Sequence, residues 1–438
     1  MAVGSASDAP GSRSPGPRRR DLLAGGVGAL GGLGLGGLAG HQAAHAEGSP
    51  ARPASSGATG ATGTGTSATA DATTGPGALG RARRPFYGTH QGGVFDRPQA
   101  HGVWLGLDLV EEADASTLRR LFTIWTDDAA ALMSGRGPLA DTEPEMAAVT
   151  AGLTITFGVG PGVFDLTGIT ADRPGWLRPL PAFPSIDQLE ERWRGTDLVV
   201  QICADSPLTV AHAQWVLLKD ARSLARIVWC QKGFREAVGT EVPGRSMRNL
   251  FGQVDGTVNP AAGQDDPVVW MCASAPDWLR GGTSMVLRRI AMNLSTWEQA
   301  DSVSRELALG RTQATGAPLT GQVEHDVPDL QATDAIGLPV IDTFSHVRRS
   351  MPHEHGGVDR FLRRPYTYDE GPSAHALSDA GLLFVAFQAD LERQFLPVQR
   401  RLAEADRLNA WTTPVGSAVY AIPRGVREGE VLAEGLWR

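Results

Sequence analysis

Cysteine is scarce in this chain. There are three in 438 residues, Cys203, Cys230 and Cys272, widely spaced. They cannot build a disulfide scaffold and read as small buried hydrophobes. H-E-x-x-H, C-x-x-C and C-x-x-C-H are all missing, which removes zinc proteases, zinc ribbons and c-type haem attachment. So are the phosphate-cradling G-x-x-x-x-G-K-[ST] and the G-x-S-x-G elbow, so nucleotide hydrolysis and a Ser-His-Asp hydrolase have no support. Basic charge is in deficit: 40 Lys and Arg face 48 Asp and Glu, a net −8, and no basic field invites nucleic acid. After residue 46 no uninterrupted strongly apolar run occurs, which excludes a polytopic membrane protein.

What is present falls into segments. Residues 1–46 carry Arg18-Arg19-Arg20-Asp21-Leu22-Leu23, then a Gly/Ala/Leu stretch and Ala44-His45-Ala46. An arginine pair, a weakly apolar middle and an A-x-A site read as a twin-arginine signal cleaved after Ala46. The middle is too rich in glycine for a stable membrane span. Export through the twin-arginine machinery carries folded proteins, so an exported chain without disulfides is consistent. Residues 47–83 are mostly Gly, Ala, Ser and Thr and cannot bury enough surface to order themselves; they read as a disordered linker.

From Arg84 onward a repeat emerges. Val103 to Leu109 alternates as a strand, and Leu118, Phe122, Trp125, Ala129 and Leu132 share one helical face. Gly152–Phe157 and Leu198–Cys203 are strands, and Ser206-Pro207 starts a helix with Leu208, Ala211, Trp215 and Leu218 on its expected inner face. Ala225–Cys230 closes a β-α-β-β-α-β unit, the ferredoxin-like order. The second half repeats it. Strand Met285–Met292 is followed by a helix from the capping box Ser295-Thr296-Trp297-Glu298, lined by Trp297, Ala300, Val303 and Leu307 and stopped by Gly310. Strand Leu382–Gln388, helix Leu391–Asp406 (kinked or started late by Pro397) and strand Ser417–Ile422 complete it. An extra strand, Val268–Cys272, is expected to pair at Met285. The fold class is therefore α+β, tandem ferredoxin-like units (84–245 and 246–438) with two antiparallel sheets and helices on their outer faces.

One connection, residues 311 to 381, is too long to be a mere link, and such loops are usually functional. It holds His325, His346, His353, His355 and His375. Two stretches stand out: Arg248-Asn249-Leu250-Phe251-Gly252-Gln253-Val254-Asp255-Gly256-Thr257-Val258-Asn259-Pro260, and Asp342-Thr343-Phe344-Ser345-His346-Val347-Arg348 followed by Phe361-Leu362-Arg363-Arg364-Pro365-Tyr366. Alone, Asp255 is a turn residue and His346 a satisfied polar side chain. Together with Tyr87-Gly88-Thr89-His90-Gln91-Gly92-Gly93 and Gly381 to Asp390, in this order, they resemble the dye-decolourising peroxidases. The likeness is greatest to the exported subgroup related to deferrochelatase/peroxidase proteins of iron uptake, and it runs from about Phe86 to the C-terminus.

That resemblance implies a haem b peroxidase with one non-covalent haem per chain, held in the second unit. Hydrogen peroxide and a small reducing donor, dye-like or phenolic, would be its substrates. His346 would be the axial iron ligand, with His353 and His355 as alternatives. Asp390 would accept from its other nitrogen, and Arg348 would face a haem propionate. Asp255 would shuttle the peroxide proton and Arg363 would stabilise the charge that develops, with neighbouring Arg364 the alternative. A deferrochelatase acting on haem or ferrous iron, a non-enzymatic haem carrier and an assembly of identical chains stay open.

Overall fold

The structure, a computed structural model, describes residues 77–240, 244–351, 359–374 and 376–438. The arginine signal, most of the linker, and His353, His355 and His375 lie outside the described residues. Leu79–Arg81 already forms a helical turn, and the carbonyls of Gly80 and Ala82 accept from the amides of Ala151 and Gly152, so ordered chain starts before Arg84.

The first half runs β1 (His101–Leu109), α1 (Ala115–Met133), β2 (Thr154–Val159), β3 (Leu198–Ala204), α2 (Pro207–Ala221) and β4 (Ala225–Phe234). These strands lie antiparallel in the order β2–β3–β1–β4. The expected stripe on α1 is buried throughout, including Phe122 and Trp125. Asp114 starts that helix by accepting from the Thr117 amide.

On α2 the expected inner face is corrected. Leu208 and Trp215 are 64% and 60% exposed, while Val210, Ala213, Val216 and Leu217 are buried. The helix carries two apolar stripes of the same period, and periodicity alone does not say which one meets the sheet.

The second half opens with the small hairpin β5 (Met247–Arg248) and β6 (Val254–Asp255), then α3 (Asp266–Val269) and β7 (Thr283–Met292). The strand expected at Val268–Cys272 does not form: its first two residues end α3, and beyond them Met271 bonds Gly281 and Gly282 just ahead of β7. The helix expected from Ser295 is two: α4 (Leu294–Gln299), capped by Asn293, and α5 (Ser302–Leu309), capped by Asp301. Breaking at Ala300 rotates the second piece, so Val303 and Leu307 are exposed while Ala308 and Leu309 are buried. Gly310 ends it in the left-handed region, as expected.

Next come α6 (His346–Ser350), β8 (Leu362–Arg363), β9 (Tyr366–Asp369), β10 (Ala380–Gln388), α7 (Phe395–Ala405) and β11 (Thr412–Ile422). Pro397 sits in the first turn of α7, where no intrahelical N–H is needed, so the helix starts late rather than kinking. The strand order β11–β7–β10–β9 repeats that of the first half.

The two expected sheets are joined. β11 meets β2 through Ala421 and Val159, and β4 meets β9 through Phe234 and Thr367, so the strands close into one ring. Its inner side is a core of Trp104, Met285, Leu287, Tyr366, Val385, Phe387 and Tyr420. Gly106 on β1 is required there, since a Cβ would lie 2.2 Å from the Trp229 ring. Alternation along β7 and β10 then turns Arg288, Ile290, Met292, Leu382 and Phe384 the other way, toward α7. That outer face carries the site.

Candidate active site

Those five side chains, with Phe395, Val398 and Leu402 of α7, wall a largely apolar cavity of about 460 Å³. This is within the roughly 300–1,000 Å³ span of small-molecule and cofactor pockets. Its polar groups are few and gathered.

His346 opens α6, whose first turn is capped by the buried Ser345 hydroxyl accepting from the Arg348 amide. Its Nδ1 lies 2.6 Å from Asp406 Oδ2. Asp406 follows α7 directly, is nearly buried, and accepts from the Leu408 amide with its other oxygen. Burial disfavours a charge on the imidazole, but the Asp406 carboxylate outweighs it and the His346 pKa stands above its ordinary value. With Nδ1–H donating to the carboxylate, Nε2 is the nitrogen left to bind a metal. The Arg407 guanidinium, bonded to both Asp342 oxygens, and its amide, bonded to the Phe344 carbonyl, tie the two segments together.

Asp390 is not this acceptor. Its carboxylate takes the Arg393 amide and its own amide donates to Gln394, so it closes the turn leading into α7. Arg348 is likewise turned away from the cavity: its guanidinium donates to the carbonyls of Leu330 and Ile341 and holds the preceding loop.

Asp255 and Arg363 do reach the cavity, and they meet there, with Arg363 Nη1 3.2 Å from Asp255 Oδ1. Asp255 ends the β5–β6 hairpin, and the next residue, Gly256, has φ +115°, a turn a side chain rarely permits. Strand alternation separates the two arginines. Arg364 is buried on the other side, donating to the Asp96 carbonyl and to Gln99.

Three contributors were missed by sequence reasoning. Asp406 lies 60 positions from His346, and nothing local marks it. Arg311, nearly buried, lines the cavity and anchors one nitrogen on the carbonyls of Gly316 and Glu324. Burial pushes its pKa down, opposed by the Glu324 charge and reinforced by Arg363. Asn259 bonds the Arg363 backbone; its place in the Asp255 stretch was the available signal.

Residues 91–235 match the family model for the N-terminal part of Dyp-type peroxidases, and 246–427 the model for the C-terminal part. The chain belongs to the Dyp-type peroxidase family. It is 37% identical to the dye-decolorizing peroxidase of Thermobifida fusca over 348 residues, 76% of this chain and 80% of that one. It is 33% identical to the deferrochelatase of Escherichia coli over 378 residues, 82% and 88% of the two chains. The crystal structure of a DyP-type peroxidase from Cellulomonas bogoriensis superposes with a TM-score of 0.80 at 48% identity, covering 82% of this chain and 99% of that one. Ferric DtpA from Streptomyces lividans gives 0.79 at 37% identity, covering 83% and 99%. Two ferredoxin-like halves in one chain are thus the Dyp-type architecture.

Proposed function

We infer that this Dyp-type peroxidase binds haem b in the cavity, reduces hydrogen peroxide there and oxidises bulky dye-like or phenolic donors in one-electron steps. One observation carries the reading. A single apolar cavity gathers an imidazole anchored on a carboxylate and a separate carboxylate–guanidinium pair.

The residues present fit the group. The cavity walls suit a flat apolar macrocycle, and His346 offers one nitrogen with the other already spoken for by Asp406. Arg311, which among the described residues donates two hydrogen bonds from Nη1, is the guanidinium suited to a propionate. Bound haem supplies the iron at which peroxide is reduced and through which donor electrons pass. The chain supplies the rest. Asp406 fixes the His346 tautomer and strengthens it as a donor. The Asp255 carboxylate takes a proton from hydrogen peroxide and returns it to the departing oxygen, which leaves as water. Arg363, permanently charged and held against Asp255, stabilises the negative charge that builds as the O–O bond breaks. A haem carrier has no use for this second pair.

The arginine-led N-terminus supports twin-arginine export of the folded protein. Among the described residues no helix is long and apolar enough to cross a membrane. Replacing Arg19 and Arg20 with Lys should trap the chain in the cytoplasm, because the signal is read as paired guanidinium groups. Purified protein given peroxide and an anthraquinone dye should bleach the dye. Release of intact porphyrin from haem without dye turnover would favour the deferrochelatase activity instead.

A further inference from the structure

The Asp255–Arg363 contact is a single hydrogen bond of 3.2 Å at the end of a long, flexible side chain. That bond alone is a weak constraint on a guanidinium with several rotatable bonds. What orders it is the backbone beneath. Asn259 grips residue 363 at both main-chain groups. Its Nδ2–H donates to the Arg363 carbonyl at 2.8 Å, and its Oδ1 accepts from the Arg363 amide at 3.0 Å. The carboxamide thus adds one rung on the free edge of β8, a two-residue strand whose other edge pairs with β10 at Ala386 and Phe387. The same loop carries Asp255 four residues earlier, and its middle is pinned by the Thr257 hydroxyl donating to the buried Glu324 carboxylate at 3.0 Å. Glu324 also accepts from the Ser246 amide, at the foot of the β5–β6 hairpin.

We propose that Asn259 is a positioning residue of the peroxide site: by clasping the Arg363 backbone to the loop of Asp255, it fixes the guanidinium and the carboxylate as one unit. Pre-set donors are effective because they need no reorganisation when charge develops. A one-ångström drift of β8 would forfeit that while leaving the cavity intact.

The inference rests on the reading of Arg363 as the cavity guanidinium, so the test separates the two. Fluoride bound to ferric haem accepts hydrogen bonds from a nearby guanidinium, and its dissociation constant measures the placement of Arg363 without turnover. In the holoprotein, Arg363→Leu should raise that constant about tenfold or more, the worth of a charge-assisted hydrogen bond. Asn259→Ala, with its haem content unchanged, should raise it by a comparable factor. Asn259→Asp keeps the acceptor for the Arg363 amide and loses the donor, so it should fall between; if the alanine variant does not fold, this variant decides by the same criterion. A constant within about twofold of wild type in the Asn259 variant, beside a weakened Arg363→Leu, would overturn the positioning role. An unchanged constant in Arg363→Leu would overturn the reading of Arg363 itself, and the inference with it.

Discussion

At the scale of single residues, the site divides its labour between two hydrogen-bonded pairs with different tasks. Among the described residues lining the cavity, His346 is the one imidazole, and the proton shuttle proposed here is Asp255. Asp255→Asn should retain haem yet slow the reaction with peroxide by about 10²–10⁴, the usual share of a general acid–base group. Stopped-flow mixing with peroxide measures this directly, and wild-type rates in that variant would leave Arg363 as the essential group. Asp406→Asn acts through the imidazole instead. Removing the carboxylate that orients His346 should weaken haem binding by about 10–100-fold, as loss of such partners does elsewhere. Haem titration that returns an unchanged affinity would remove Asp406 from the account.

At the scale of elements, the sequence pattern was informative where one face of an element is apolar and ambiguous where two are. On α1 a single stripe holds Phe122 and Trp125, and both are buried. On α2 the stripe through Trp215 is as regular as the one through Val210 and Leu217, yet Leu208, Ala211 and Trp215 on it face solvent. Trp125→Ala should therefore cost about 3–5 kcal/mol, the range for a large buried aromatic, while Trp215→Ala should leave denaturant midpoints almost unchanged. Equal losses in the two variants would mean that the second stripe is covered. The site was legible in the same uneven way. Asp255, Arg363 and His346 stand in distinctive local stretches, whereas the partners of those stretches are made by tertiary folding. Asp406 reaches His346 because α7 ends beside α6, and Arg311 reaches the cavity because its loop folds back on Gly316 and Glu324. Asp390 was plausible as a carboxylate at a strand end, but the turn it closes uses it up locally.

At the scale of the whole molecule, closure of the strands into a ring makes the two halves share the core inside it, and the helix pair α1–α2 carries a titrating carboxyl of its own. Asp128 on α1 is buried beside Asp220 on α2. Burial, then the hydrogen bond and charge of Asp220, raise its pKa to about 7. A carboxyl whose folded pKa is raised stabilises the native state while protonated, and that stability is lost as pH climbs from the ordinary aspartate range through about 7. Asp128→Asn removes the ionisation. Its melting temperature should match wild type near pH 4 and exceed it at pH 8, by on the order of 2 kcal/mol of stability once partial screening is allowed for. Parallel melting curves across that pH range would show that the pair is harmless when charged.

The proposed peroxide site depends on one bond, from His346 to a haem iron. The absorption spectrum of His346→Ala, purified beside the wild-type protein, tests it most directly. Wild type should carry a Soret band at one haem per chain, and the variant should be folded by circular dichroism with that band nearly gone. A folded His346→Ala protein with full haem occupancy would contradict the assignment, moving the iron ligand away from His346 and from the cavity that Asp406 helps to build.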